Sequence, residues 1–220
     1  MMNIIIKNKN TEEIIFKGIY NNDKECIEDA ISKGVNLSRA DLRRRNFQSA
    51  NIDTAQLDGA DLRFSNLSNA NISESNLAGA DLRGANLIGT CLAETNLTSA
   101  LLQNASFGAT DIAYATLDGV QLSTLSALHL PFIEAASMQL CVFQTANTDI
   151  ITFSTPPILI QGLLNKNLYI IENNILFGHD NVSPPLQDAL NNKSAILSML
   201  AQRYTKFDRT LQKGYVKHNN

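Results

Sequence analysis

The chain has 220 residues and a formal charge of −3, with 44% apolar residues, 18% charged residues and no Trp. That mixture excludes a disordered tail, and no apolar run approaches the ~18–20 residues that a membrane-spanning helix needs. Three residue types dominate, with 28 Leu, 25 Asn and 22 Ala, and such an excess directs attention to an internal repeat.

Residues 2–7 and 13–19 are β-rich and flank Asn8-Lys9-Asn10-Thr11, which predicts a hairpin. Asn22 then opens a helix with Glu25 three positions on, a capping-box arrangement, and Gly34 is placed to close it. Residues 1–34 are therefore expected to cap the repeat that begins at Leu37. The first seven residues lack the charged-then-apolar layout of a secretory signal. Cys26, Cys91 and Cys141 form an odd, widely spaced set without metal-ligand spacing, so a reducing, cytoplasmic compartment is expected.

From Leu37 to Leu122 every fifth residue is Leu, Ile or Phe, through 18 consecutive pentads. Two positions before each sits a small or β-branched residue, with Arg45 the one large exception. A five-residue period suits neither a helix, whose stripe would rotate by about 140° at each step, nor a straight strand, whose odd period alternates faces. A short extended segment followed by a corner does suit it. The central residue and the small one then point inward, and the corner falls where Gly59, Gly79, Gly84, Gly89 and Gly119 occur. Ala-Asp-Leu-Arg recurs at 40–43, 60–63 and 80–83, a spacing of 20 residues, or four pentads per coil. The residue before each Leu sorts into columns on that period, among them Asp41/Asp61/Asp81 and Asn46/Asn66/Asn86. Asn side chains stacked at roughly 4.8 Å can bond along such a column.

Repeats such as Ala60-Asp61-Leu62-Arg63-Phe64 and Ala85-Asn86-Leu87-Ile88-Gly89 resemble the pentapeptide-repeat family. The resemblance covers about 120 residues and implies a right-handed quadrilateral β-helix. After Leu122 the register gains one residue, with a bulge expected near Ser123–Ser126, and resumes at Leu128, Ile133, Met138, Phe143, Thr148 and Phe153. The count reaches 24 pentads, or six coils. Beyond Pro156-Pro157, residues 158–164, 167–171 and 175–177 read as short strands and Ser183 as a helix start. A final helix over 195–213 places Ile196, Leu200, Tyr204, Phe207 and Leu211 on one face, for packing on the coil end or for homodimerisation. The expected fold is an all-β solenoid of about six coils with small α+β caps at both ends. Its units are 1–34, 35–155 and 156–220.

Charge is unevenly placed. Arg39, Arg43, Arg44 and Arg45 crowd the first coil, whereas residues 84–165 hold no Lys or Arg but carry Glu94, Asp111, Asp118, Glu134 and Asp149. Glu94, Asp111 and Asp118 form a candidate acidic face. The columns Asp41/Asp61/Asp81 and Arg43/Arg63/Arg83 form a second candidate surface, either a patterned interaction face or, the favoured reading, an ion-pair ladder of modest gain per exposed pair. Arg45 occupies an inward column and is expected to bend out beneath the N-terminal unit; a buried, paired Arg is the alternative. His129, His179 and His218 are isolated, and Cys91 stands in an outward column with nothing nearby to activate it.

No nucleophile elbow, phosphate loop or paired-carboxylate motif is present, so no cofactor or metal is expected. The leading reading is a non-enzymatic interaction or scaffold protein whose partner is another protein, with no direct binding to nucleic acid or membrane. The resemblance supplies an alternative, because its quinolone-resistance branch is thought to mimic duplex DNA and bind DNA gyrase. Over residues 84–155 that mimicry would require about 10 charges at the DNA spacing, and the stretch has five acids. An enzyme, the third class, would need a cleft between the last coil and residues 158–213.

Overall fold

The computed structural model describes residues 1–145, 149–163, 166–171 and 174–178. Strands β1 (Met2–Lys7) and β2 (Ile14–Tyr20) pair antiparallel, and helix α1 (Asp23–Ser32) comes next. Asn22 caps α1 by accepting the Glu25 N–H at 2.8 Å. The Glu25 carboxylate reaches back to Asn21, one residue earlier than a capping box would place it.

Between Asp41 and Gln121 the chain makes parallel bridges to itself at a spacing of 20 residues, in four ladders. They run Asp41–Asp61–Asp81–Leu101–Gln121, Asn46–Asn66–Asn86–Ser106, Asn51–Asn71–Cys91–Asp111 and Gln56–Asn76–Asn96–Thr116, and each takes the name of its first residue. The pentad accounts for its own backbone donors. Around Leu62, the Asp61 N–H bonds back to Ala40 O, the Leu62 and Phe64 N–H groups bond forward to Asp81 O and Arg83 O, and the Ser65 N–H closes the corner on Leu62 O. The central Leu, Ile and Phe residues are fully buried and form one continuous core.

Where a hydroxyl takes the small inward position, it finds a carbonyl, in its own coil for Ser65, which donates to Leu62 O, and in the preceding coil for four others. Ser75, Thr90, Thr95 and Thr110 donate to Ile52, Leu67, Ile72 and Leu87 O at 2.8–2.9 Å. A buried hydroxyl is thus satisfied and costs little. The corner residue lies in the left-handed region in every pentad from Arg39 to Gly119, whether glycine or not. Thr54, Phe64 and Tyr114 adopt φ of 55–58° there, a conformation costing L residues roughly 1–2 kcal/mol.

The first coil lacks a preceding one, and the N-terminal unit supplies the missing acceptors. Lys7 O of β1 accepts the Asp41 N–H at 2.7 Å. From α1, Asp23 accepts the Asn46 N–H at 3.2 Å and Glu28 the Asn51 N–H at 2.8 Å. Cys26, Ile27 and Ala30 of α1 are buried in the same core. Arg45 departs from the expectation of a side chain that merely bends outward. It is half-buried and held by Asp23 at 2.8 Å and by Ile5 O at 2.5 Å.

The register slips where the sequence gains its residue. A 3₁₀ turn covers Leu125–His129, and Thr116 pairs with Ser137 at a spacing of 21. Hydroxyls take over from backbone acceptors at the slip: Ser123 and Ser126 accept the Asn104 and Phe107 N–H groups, and Thr124 donates to Ala105 O. A second 3₁₀ turn, Phe132–Glu134, corrects the expected core. It buries Phe132 and leaves Ile133 85% exposed, because the tight turn after Pro131 shifts the inward position by one residue.

Strand β3 (Gln121–Leu122) pairs in parallel with β4 (Cys141–Gln144), which adds a sixth rung to the Asp41 ladder. The expected sixth coil is not completed. Strand β5 (Ile150–Phe153) returns antiparallel on β4, so stacking ends in a hairpin. Strands β6 (Ile158–Leu163), β7 (Lys166–Ile171) and β8 (Asn174–Gly178) form a separate antiparallel sheet. The expected helices from Ser183 and over 195–213 lie outside the described residues.

Gly34 and Gly84 separate backbone strain from crowding. Both have positive φ, but a Cβ at Gly34 meets nothing within 4 Å, whereas one at Gly84 would stand 2.6 Å from the Phe64 ring. Gly34→Ala should cost roughly 1–2 kcal/mol, and Gly84→Ala measurably more until Phe64→Ala relieves it. Urea denaturation of the three variants checks this.

Candidate interaction surface

An Asn before a central Leu does two tasks. Its side-chain oxygen accepts the N–H two residues on, the one donor that neighbouring coils leave unpaired. Asn66, Asn71, Asn86 and Asn96 do this for Ser68, Ser73, Ile88 and Thr98 at 3.1–3.2 Å. The carboxamide nitrogen then bonds along the ladder, from Asn66 to Asn46, Asn86 to Asn66, Asn71 to Asn51 and Asn96 to Asn76, at 2.9–3.2 Å.

Asp accepts the same N–H but has no donor for the ladder, and an Arg two residues on takes that place. Arg43, Arg63 and Arg83 each grip Asp41, Asp61 and Asp81 with Nε and Nη2 at 2.6–2.9 Å. Nε of Arg43 and of Arg63 also lies 3.5 Å from the Asp one coil on. The Asp61 side chain is 7% exposed. The Arg43 hydrogen bonds hold the Asp41 carboxyl below the usual range. Burial pushes Asp81 upward, but the Arg83 hydrogen bonds outweigh it and the net shift is down. The structure thus brings all six residues of this candidate surface into one paired ladder.

The candidate acidic face is divided. Glu94 and Asp111 lie together in the Asn51 ladder and its corner column. Asp118 lies two residues beyond Thr116 of the Gln56 ladder, where its carboxylate accepts from Ser137 and from the Gln139 N–H as part of the 21-residue step. In its place the structure adds Asp53, Glu74 and Glu134, since the corner backbone joins Glu74 to the Glu94 column and bonds Tyr114 N–H to Glu134 O at 2.7 Å. The pentads 50–54, 70–74, 90–94 and 110–114 contain no Lys or Arg. Among the described residues none of Asp53, Glu74, Glu94, Asp111 or Glu134 has an ion pair. On the same side Tyr114 is 71% exposed, and Ile133, next in sequence to Glu134, is exposed as well. The signal for this grouping is present in the 20-residue period, but chain order conceals it.

Cys91 stands in that ladder with Sγ 3.7 Å from Asp111 Oδ2, partly exposed. Cys26 and Cys141 are buried, and burial, with Asp118 nearby, pushes the Cys141 thiol up to about 12. Among the described residues no group of three or more His, Cys, Asp or Glu could hold a metal, and no helix is long and apolar enough to cross a membrane. The oligomer residues Ile196, Leu200, Tyr204, Phe207 and Leu211 fall outside the described residues, as does most of the segment that would wall an enzyme cleft.

Stacked pentads whose outer rungs carry the polar chemistry define a repeat scaffold. Residues 33–63, 55–92, 65–104 and 90–124 match the family model described as pentapeptide repeats, in 8 copies. The chain belongs to the pentapeptide-repeat family. Among solved structures it is similar to a pentapeptide repeat protein of the Arabidopsis thaliana thylakoid lumen, with 30% identity over 39% of this chain and 66% of that one and a TM-score of 0.29. It is also similar to the pentapeptide repeat protein Rfr23 of the cyanobacterium Cyanothece 51142, with 32% identity over 40% and 56% of the two chains and a TM-score of 0.35. A third is QnrB1, a plasmid-mediated fluoroquinolone resistance protein, with 17% identity over 48% and 54% and a TM-score of 0.22. The chain spans less than two thirds of the length of each of these three. No curated protein matches it. The family implies a right-handed quadrilateral β-helix, which accounts for four ladders at a 20-residue spacing.

The depressed carboxyls give a signed pH dependence. Their contribution to stability is complete above the unfolded value of ~3.9 and is lost as pH falls through the lower folded value. The urea midpoint should therefore fall as pH drops below about 4, and Asp41→Asn with Asp81→Asn should flatten that fall.

Proposed function

We propose that this protein is a non-enzymatic interaction scaffold that docks a basic protein partner through the Asn51 side. The observation that carries this reading is the separation of charge. On the Asp41 side the Asp and Arg columns neutralise one another, whereas on the Asn51 side five carboxylates have no ion pair among the described residues, and Tyr114 and Ile133 are exposed. Unpaired carboxylates steer a cationic partner and raise its on-rate, and an exposed aromatic with an aliphatic neighbour supplies the desolvated anchor. Rigid coils present both without an ordering cost on binding.

The alternative, a DNA mimic bound by gyrase, asks for more charge. From Asp53 to Glu134 the side spans four coil spacings, roughly 19 Å, over which duplex DNA carries about 11 charges. The five carboxylates amount to about half of that density. The observed spacing favours a discrete protein epitope over a duplex imitation.

Cross-linking capture from the native cell tests the reading. Partners held by the wild type should fall at least tenfold with Glu74→Lys/Glu94→Lys and with Tyr114→Ala, and should weaken with salt. Arg83→Gln should leave them unchanged. Equal capture by all variants would remove this side as the interface. Protection or inhibition of purified gyrase in a supercoiling assay at micromolar protein, with and without quinolone, would restore the alternative.

A further inference from the structure

Where β1 crosses the first coil, Ile5, Lys7, Asp41, Arg43, Arg44 and Arg45 line an open cavity of about 470 Å³. That volume lies within the range of small-ligand sites, and four of the six lining residues are basic. Its cations differ in how far they are engaged. Lys7 pairs with Glu12 at 3.3 Å. Arg45 is fixed by Asp23 and Ile5 O, and Arg43 by Asp41, which leaves the Arg43 Nη1 group without a protein partner among the described residues. Asp41 faces the same cavity, but both its oxygens are already taken by Arg43. Arg44 has no hydrogen bond or ion pair from its side chain among the described residues; its guanidinium lies 5.8 Å from the Phe64 ring centre. Along the same edge the Lys9 N–H bonds to Arg39 O at 2.9 Å, and neither side chain has an ion pair among the described residues.

We propose that this cavity binds a phosphate group. Arg43 and Arg45 are already oriented by their carboxylate and carbonyl partners, so little side-chain freedom is lost when an oxyanion enters. Arg44 provides the unneutralised charge, and its planar fork matches tetrahedral oxyanions in two-point contact. The ligand is either free phosphate or a small phosphate monoester, since both present the same dianion. This site is independent of the Asn51 side and stands or falls separately.

The test is calorimetric titration of the full chain, at constant ionic strength, with inorganic phosphate and separately with O-phosphoserine. Saturable binding of one or both is expected, weakened at least tenfold by Arg44→Gln and unchanged by Arg83→Gln, which removes the same charge farther down the same side. Equal affinities identify the free anion as sufficient, and tighter phosphoserine binding identifies an organic ester; both support the site. Absence of saturation, equal weakening by the two variants, or binding only of a polyanion such as duplex DNA would overturn it. Matching urea midpoints for Arg44→Gln and wild type exclude unfolding as the cause of lost binding.

Discussion

One backbone donor in each pentad governs the chemistry of the outer surface. In the regular pentads, such as that around Leu62, four of five N–H groups find carbonyls in the same or neighbouring coils, and the fifth, two residues after the ladder position, is left over. A buried or half-buried N–H without an acceptor costs about 1–3 kcal/mol, and the cost recurs at every corner. An Asx side chain at the ladder position is placed to accept that N–H. The abundance of Asn and Asp in this protein follows from that geometry, as Leu and Ala follow from the core.

The choice between Asn and Asp then decides what each side can do. Asn has a donor left after the turn bond, and the ladder uses it, giving a neutral, self-satisfied column. Asp has a second acceptor instead, and on the Asp41 side an Arg two residues on answers it. On the Asn51 side the column changes from Asn to Cys to Asp with no Arg two residues later, and the corner positions add Glu74 and Glu94. The charges that remain unmatched are those to which a partner can respond. At the open end of the first coil the N-terminal unit has to supply acceptors, and it does so with Asp23 and Glu28. The same junction brings Arg43, Arg44 and Arg45 under β1, so the basic cavity is a consequence of terminating the stack.

Much of this is legible in the sequence because a strict period converts position into place. The central residues, the 20-residue coil, the Asp and Arg columns, the slip after Leu122 and the N-terminal hairpin and helix all follow from spacing. The features that spacing hides depend on contacts between segments that no period links. Size and column alone place Arg45, and its partner Asp23 lies in a different unit. Read as a run of sequence, the acidic side joins Asp118 to Glu94 and omits Asp53 and Glu74 in earlier coils. Beyond the slip the pattern is weak enough that Ile133 and Phe132 compete for one inward position, and a turn decides between them. The return of β5 on β4 is equally hidden, because an extended pentad and a hairpin strand share the same alternation.

The ladder side chain serves a backbone donor first and its neighbours second, and the rest of the outer surface depends on that order. Urea denaturation of Asn66→Asp and Asn66→Leu, compared with wild type at neutral pH, tests it most directly. Asp keeps the acceptor for the Ser68 N–H and loses the bond to Asn46, so a loss of about 1 kcal/mol is predicted. Leu removes both of these, together with the bonds that Asn86 Nδ2 and the Ser68 hydroxyl donate to the same oxygen, and leaves that N–H unanswered, so a loss of at least roughly 2–3 kcal/mol is predicted. Equal stabilities for the two variants, or a Leu variant as stable as wild type, would contradict that order.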